Sequence, residues 1–341
     1  MTLMTHCEAI VRQGKTSLTT KRALIFGISG QDGSLLAKTL LEKGYVVHGT
    51  SRDADLARFD NLKRLDIFDQ VCLHSANLAD FRSILQSIII TQPFEIYNLS
   101  AQSSVGLSFE QPLETVNSIS GSCLNLLEAI RFLGADVRLC NASSSEMFGD
   151  TGKSAADETA PFRPRSPYGI AKASAHWMVD AYRNAYGLHA SSLILFNHES
   201  PLRNERFVTQ KIVRTAVDIK LGAKRKLALG NIAITRDWGW APEFVEAMWL
   251  ALQQDRPDDY VIATGRNATL ETFVSGVFDR VGLHYQEHLI VDKSLCRPYD
   301  VDRTVGNPSK AELVLHWRPR LFFPDVIDAL VVAEIERRST R

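Results

Sequence analysis

Two rhythms of apolar and polar residues take turns along this chain. "RALIFGISG" (Arg22–Gly30) is a short apolar run broken by glycine, the signature of a buried strand running into a turn. "SLLAKTLLEKG" (Ser34–Gly44) then spaces its apolar residues helically and stops on a glycine. "YVVHGTSR" (Tyr45–Arg52) predicts a second strand, and "FDQVCLHSANLAD" carries a third, followed by the helical "FRSILQSIIITQ". "EIYNLSA" (Glu95–Ala101) predicts a fourth strand, and "NSISGSCLNLLEAIRFLG" (Asn117–Gly134) one long amphipathic helix. "VRLCNASS" predicts a fifth strand, "YGIAKASAHWMVDAYRNAYG" (Tyr168–Gly187) another helix, and "HASSLILFN" (His189–Asn197) a sixth strand.

Strands alternating with helices call for the α/β class: a doubly wound parallel sheet, the Rossmann architecture, with right-handed crossovers. After Asn197 the alternation weakens. The expected division is an N-terminal extension over 1–20, poorly ordered, then a dinucleotide-binding domain over 21–196. A strand near 258–265, "DDYVIATG", returns to that domain, and 197–341 forms mainly a smaller substrate-binding domain.

Composition narrows the partners more than the fold. The chain has 341 residues, 45% hydrophobic and 23% charged, enough for two joined domains. Lys+Arg and Asp+Glu both number 39, so there is no basic excess of the kind that nucleic-acid or anionic-membrane partners select. A local basic pocket for a phosphorylated small molecule is compatible with that balance. The first twenty residues lack a signal peptide's apolar core, and no apolar run is long enough to span a bilayer. Five cysteines are scattered singly, the pattern of reduced thiols in a cytoplasmic protein. The nine histidines show no metal-ligand spacing, so no metal site is expected.

Three groups of residues carry chemistry. Gly27, Gly30 and Gly33 follow the first strand and open the first helix, where glycines let the backbone approach a pyrophosphate and the helix N-terminus offers free N–H groups. The second strand ends without an acid at its tip and Arg52 follows, which favours NADP over NAD, although Asp53 stands beside it. Tyr168 and Lys172 stand four apart at a helix start, so they share one face. An ammonium and an oxidised nicotinamide beside Tyr168 would favour its phenolate, making it a base for an alcohol under oxidation. The third group is "CNASSSEMFGD" (Cys140–Asp150), whose bland reading is a surface turn.

With these residues in place the chain resembles the extended short-chain dehydrogenase/reductase superfamily, and within it the GDP-mannose 4,6-dehydratase family. The resemblance rests on "GISGQDGSLLAKTLLEKGYVVHG", "YNLSAQSSVGLSFEQP", "SSSEMFG", "PFRPRSPYGIAK", "ILFNHESP", "RDWGWAPEFVEAMW" and "RPYDVDRTVGNPSKA", from about Lys21 to near the C-terminus. It implies conversion of GDP-mannose, or a close GDP-hexose or heptose, to the GDP-4-keto-6-deoxy sugar without net redox, using NADP. It implies Tyr168 and Lys172 at the sugar's C4 hydroxyl, Glu146 as the base at C5, and Ser144 holding O4. Ser144 stands where the family usually has threonine.

By position the resemblance assigns to the cofactor Gly27, Ser29, Gly30, Gln31, Asp32, Gly33, Arg52, Asn77, Leu78, Leu99, Ser100, Ala101, Ser103, Tyr168, Lys172, His198 and Arg203. To the GDP-sugar it assigns Ser103, Ser144, Glu146, Asn197, Val208, Lys211, Arg236, Arg297 and Asp300, with Asp300 replacing a glutamate. It further implies a homo-oligomer, dimer or tetramer. Two other readings stay open. One is a reductase or epimerase on a related nucleotide sugar, which needs no base at C5. The other is a catalytically silent NADP-sensing protein, which need not keep both Tyr168 and Lys172.

Overall fold

The computed structural model describes residues 21–339, so the expected extension over 1–20 lies outside the described residues. Seven parallel strands form the main sheet: β1 (Arg22–Phe26), β2 (Val46–Ser51), β3 (Cys72–Ser75), β4 (Glu95–Asn98), β5 (Arg138–Ser144), β6 (Ala190–Leu195) and β7 (Tyr260–Ile262). Their order is β7-β6-β5-β4-β1-β2-β3, and Phe26 stands in register between Thr50 and Asn98. This is the doubly wound parallel sheet that the alternating pattern predicts.

The longer helices are α1 (Gln31–Glu42), α2 (Phe81–Thr91), α3 (Ser122–Leu133), α4 (Pro167–Tyr186), α5 (Val208–Lys220), α6 (Ala241–Gln253), α7 (Leu270–Arg280) and α8 (Phe323–Ser339). Successive side chains of a strand point to opposite faces, so continuous apolar strands bury both. On one face Ala23, Ile25 and Tyr97 pack with α1 and α6. On the other, Leu24, Phe26 and Ile96 pack with α2, α3 and α4. A third core gathers α5, α7 and α8 around Leu227, Leu229 and Trp238. The sheet's own core also takes in α6 and the stretch around Ala311–Trp317, which lie far downstream and carry no strand–helix alternation.

Two local differences from the pattern matter. The helix expected over 117–134 begins as a π turn (Asn117–Gly121) before α3. The widened turn places the Ser120 hydroxyl to donate to the Ala171 carbonyl on α4 at 3.0 Å. The sixth strand stops at Leu195, and Asn197–Glu199 pairs instead with Trp238–Trp240 in a two-stranded ladder. Winding reverses between β1 and β4, so their carboxyl ends flank the crevice where this architecture binds ligands.

Candidate active site

Gly27 closes β1 with φ +88°, in the left-handed region, and a Cβ there would lie 2.8 Å from the Ser100 Cα and N. At Gly33 a Cβ would lie 2.3 Å from the Gly27 carbonyl oxygen. Glycine at both positions lets the end of β1, the start of α1 and the segment after β4 meet at the switch point. Ser29 and Gly30 are exposed at the tip, and the Gly30 N–H donates to the Gly27 oxygen at 3.1 Å. Leu99 donates to the Phe26 carbonyl at 3.0 Å, while the buried Ser100 Oγ has no hydrogen-bond partner. An exposed glycine turn at a helix N-terminus with an orphaned hydroxyl beside it fits a dinucleotide's pyrophosphate.

Behind this turn, Gln31 and Asp32 are tied to the 198–203 loop. His198 lies with Nε2 3.0 Å from Asp32 Oδ2 and Nδ1 2.7 Å from the Phe196 carbonyl, so both ring nitrogens face acceptors. Two acceptors favour the doubly protonated ring. Burial opposes charge on either partner. The His198 imidazolium nevertheless draws Asp32 down to about 2, and Asp32 holds His198 above its ordinary value. The ring also stacks on Phe244, centroids 4.6 Å apart. Gln31 accepts from Ser200 Oγ at 2.8 Å and donates to Asp32 at 2.9 Å. The side chains of Gln31, Asp32 and His198 therefore serve one another. Arg203 lies over the Phe207 ring at 3.9 Å and 3.6 Å from Glu199.

Four proposed catalytic residues stand at the carboxyl end of β5 and the start of α4. Ser144 ends β5 and its Oγ accepts from the Glu146 N–H at 3.3 Å, which turns the chain into a short 3₁₀ turn. Ser166 caps α4 by accepting from the Gly169 N–H at 3.0 Å, and Pro167 occupies its first turn. Gly169 must be small, because a Cβ would sit 2.7 Å from the Glu146 carbonyl oxygen. This contact brings Glu146 beside the helix that carries Tyr168. Burial pushes the Tyr168 phenol up to about 12; a hydrogen bond from Ser144 works against that, and the Glu146 charge works with it. Burial draws Lys172 down to about 8, and its Nζ donates to the Ala142 carbonyl at 2.6 Å. The Lys172 Nζ lies 5.8 Å from the Tyr168 ring centroid.

The expected GDP-side residues divide. Arg236 is buried. Burial lowers its pKa, Glu146 and Asp300 oppose the shift, and Arg297 adds to it, which groups these four around one space. Arg297 pairs with Asp300 at 3.5 Å. Ser103 is exposed near the start of the short helix Val105–Glu110, and Ala101 is partly buried. Asn197 lies in the ladder with Trp238, and Val208 opens α5. Lys211 donates to the Ala228 carbonyl at 2.6 Å. At the far end of the crevice, Asp53 accepts the Asp55 and Leu56 N–H groups, each at 3.0 Å, and Arg52 is exposed with no ion pair among the described residues. Asn77 accepts the Ala79 N–H at 3.1 Å, and Leu78 is buried beside it.

The structure adds residues that pattern alone does not reveal. The buried Asp237 accepts from the Thr264 N–H and hydroxyl and the Gly265 N–H at 2.9, 2.7 and 3.0 Å, which pins the strand carrying Arg236 to the loop after β7. Burial raises Asp237 to about 6. Its signal was present in "RDWG" but silent about this partner. Below Lys172, Asn98 donates to Asn141 at 2.9 Å across β4 and β5. Among the described residues no group of three or more His, Cys, Asp or Glu could hold a metal ion, and no helix is long and apolar enough to cross a membrane.

A family model described as GDP-mannose 4,6 dehydratase matches residues 24–330. GDP-mannose 4,6 dehydratase 1 of Arabidopsis thaliana is 44% identical over 326 residues, covering 93% of this chain and 90% of the relative. GDP-mannose 4,6-dehydratase of Sinorhizobium fredii is 43% identical over 346 residues, covering 94% and 99%. Among solved structures, the Thermus thermophilus UDP-glucose 4-epimerase complex with NAD is similar with TM-score 0.80 and 27% identity, covering 92% of this chain and 99% of that one.

Proposed function

The chain belongs to the GDP-mannose 4,6-dehydratase family, and from that premise we propose that it is a hydro-lyase converting GDP-mannose, or a close GDP-hexose or heptose, to the GDP-4-keto-6-deoxy sugar. The observation that carries the reading is one carboxylate residue, Glu146, in the turn after β5, whose carbonyl oxygen lies against Gly169, the neighbour of Tyr168 on α4. An epimerase or reductase needs no base there, and a silent sensor needs neither Glu146 nor the Tyr168–Lys172 pair.

In this reading the glycine turn, Leu99, Ser100 and Lys172 hold a dinucleotide. A bound nicotinamide supplies reversible two-electron oxidation, which leaves no net redox change over a cycle. Tyr168 takes the proton of the sugar's 4-hydroxyl while Ser144 holds that oxygen. Burial, with the Glu146 charge adding to it, holds the Tyr168 phenol up at about 12. Positive charge close to the phenol must therefore favour its ionisation, and Lys172 supplies part of it. A ketone at C4 acidifies the C5 proton, which Glu146 removes as general base. The C6 hydroxyl takes up a proton and leaves as water. The 5,6-alkene left behind would take back the two electrons at C6 and a proton at C5 from Glu146, giving the 4-keto-6-deoxy sugar. Arg236 and Arg297 neutralise the diphosphate.

Further features support the finer points. Asp53 is engaged by its own turn, so Arg52 is available for a 2′-phosphate, and the dinucleotide is NADP. Mass spectrometry of cofactor released by denaturation tests this; finding NAD would overturn it. Ile170 and Trp177, exposed two turns apart on α4, and the exposed Leu113 and Leu124 nearby suit a second copy of the chain, hence a homo-oligomer. Light scattering of the purified protein checks the oligomer, and a monomer would refute it. The cytoplasm, where free thiols and nucleotide sugars coexist, is the proposed location. Incubation with GDP-mannose and with a GDP-manno-heptose, followed by mass, tests the reaction: loss of one water from either supports it, and loss from neither sinks it.

A further inference from the structure

Arg58, Lys63, Arg64, Arg214 and Arg337 line a cleft of about 590 Å³ with a single acid, Asp60. They come from three places in the fold: the loop and short helix after β2 (Asp60–Arg64), α5, and α8. In a chain with no net charge this is a local concentration of positive charge. Some of it is answered: Arg58 lies 3.6 Å from Asp60, Arg214 pairs with Glu205, and Arg337 pairs with Glu334 at 2.7 Å. Lys63 and Arg64 have no ion pair among the described residues. Lys63 lies over the Phe68 ring at 5.1 Å, and Arg64 donates to the Pro201 carbonyl at 3.1 Å. None of the lining residues is assigned to the cofactor or the GDP-sugar.

We propose that this cleft binds an oligophosphate anion at a site separate from the active site and coupled to the cofactor turn. Guanidinium forks match phosphate oxygens, and the volume falls within the roughly 300–1,000 Å³ of small-molecule sites. The coupling is direct. Asn61, on the same short helix as Lys63 and Arg64, donates to the Ser29 carbonyl of the glycine turn and to the Leu202 carbonyl, each at 3.3 Å. Arg64 holds Pro201 in the loop that also carries His198 and Arg203. An anion that fixes this short helix therefore steadies two loops of the dinucleotide site, and by linkage cofactor occupancy changes the anion's affinity in return.

Calorimetric titration of the full chain with inorganic tripolyphosphate, after saturation with both NADP and GDP so that the dinucleotide and substrate sites are filled, reads this cleft. A saturable site in the wild type is expected, weakened about tenfold or more in Lys63→Gln/Arg64→Gln. The charge-preserving Lys63→Arg/Arg64→Lys should retain binding, with circular dichroism confirming the fold of both. A parallel ADP titration separates sources: equal affinity means phosphate charge alone selects the ligand, and tighter ADP means a nucleotide is preferred. No heat beyond dilution, or undiminished binding in the Gln variant, overturns the proposal. Saturation rests on the proposed function, so GDP is also titrated into the wild type; failure to bind there would fault that function and not the cleft.

Discussion

Tyr168 stands in a site that opposes its own ionisation, and the residues around it decide the chemistry. Burial takes the phenol to about 12 and Lys172 to about 8. The Lys172 ammonium is thus lost as pH rises through about 8, and turnover should fall on that alkaline side. Lys172→Met should abolish this limb of the pH profile along with most activity; an unchanged profile would remove Lys172 from the role. Glu146→Gln should lower turnover by about 10²–10⁴-fold, the usual worth of a general base, while the protein still carries its cofactor. Steady-state rates with GDP-mannose and the absorbance of bound cofactor check both halves. The residue pairs at short sequence spacing were the legible part of this site. Tyr168 and Lys172 lie on one helix face, and glycines sit where a Cβ cannot. The environment that shifts Tyr168 was not legible, because it depends on burial by α3 and the end of β5.

The elements around the crevice are held by a cross-link that joins the start of α1 to the 198–203 loop. Asp32, at about 2 against an ordinary 3.8, adds stability above about pH 4 that is lost as pH falls towards 2. His198, raised above 6.5, adds stability below that value that is lost as pH rises through its folded pKa. The pair therefore contributes most between about pH 4 and 6.5, with Asp32 worth about 2 kcal/mol. Asp32→Asn should reduce unfolding free energy most in that window, measured in urea at matched cofactor content; an equal loss at pH 5 and pH 9 would contradict the link. Gly27→Ala should fail in another way, since its Cβ strikes Ser100 backbone at 2.8 Å from a left-handed conformation. Purified Gly27→Ala should carry little or no dinucleotide. Sequence spacing located the strands and helices of the sheet and the glycine turn. The family resemblance assigns His198 to the cofactor, and in the structure its ring nitrogens engage Asp32, 166 residues away, and the Phe196 carbonyl. Long-range pairs of this kind leave no periodic trace.

At the scale of the molecule, a chain with no net charge arranges the residues proposed for cofactor and GDP-sugar along one crevice. Arg52 and Asn77 lie at the ends of β2 and β3, the glycine turn at β1, Tyr168 and Glu146 after β5, and Arg236 and Arg297 beyond. The sheet was readable because its alternation is local. The third core of α5, α7 and α8, and the recruitment of α6 and Trp317 to the sheet, were not, because each depends on contacts between elements far apart in sequence. The central claim is that this crevice removes water from a GDP-sugar and regenerates its own oxidant. One measurement tests it directly: GDP-mannose is incubated with the purified protein, without added dinucleotide, and the products are followed by mass while bound cofactor is followed by absorbance. Many turnovers to a product lighter by one water, with no net change in cofactor redox state, are expected. A product of unchanged mass, or a single turnover that leaves the cofactor reduced, would contradict the claim.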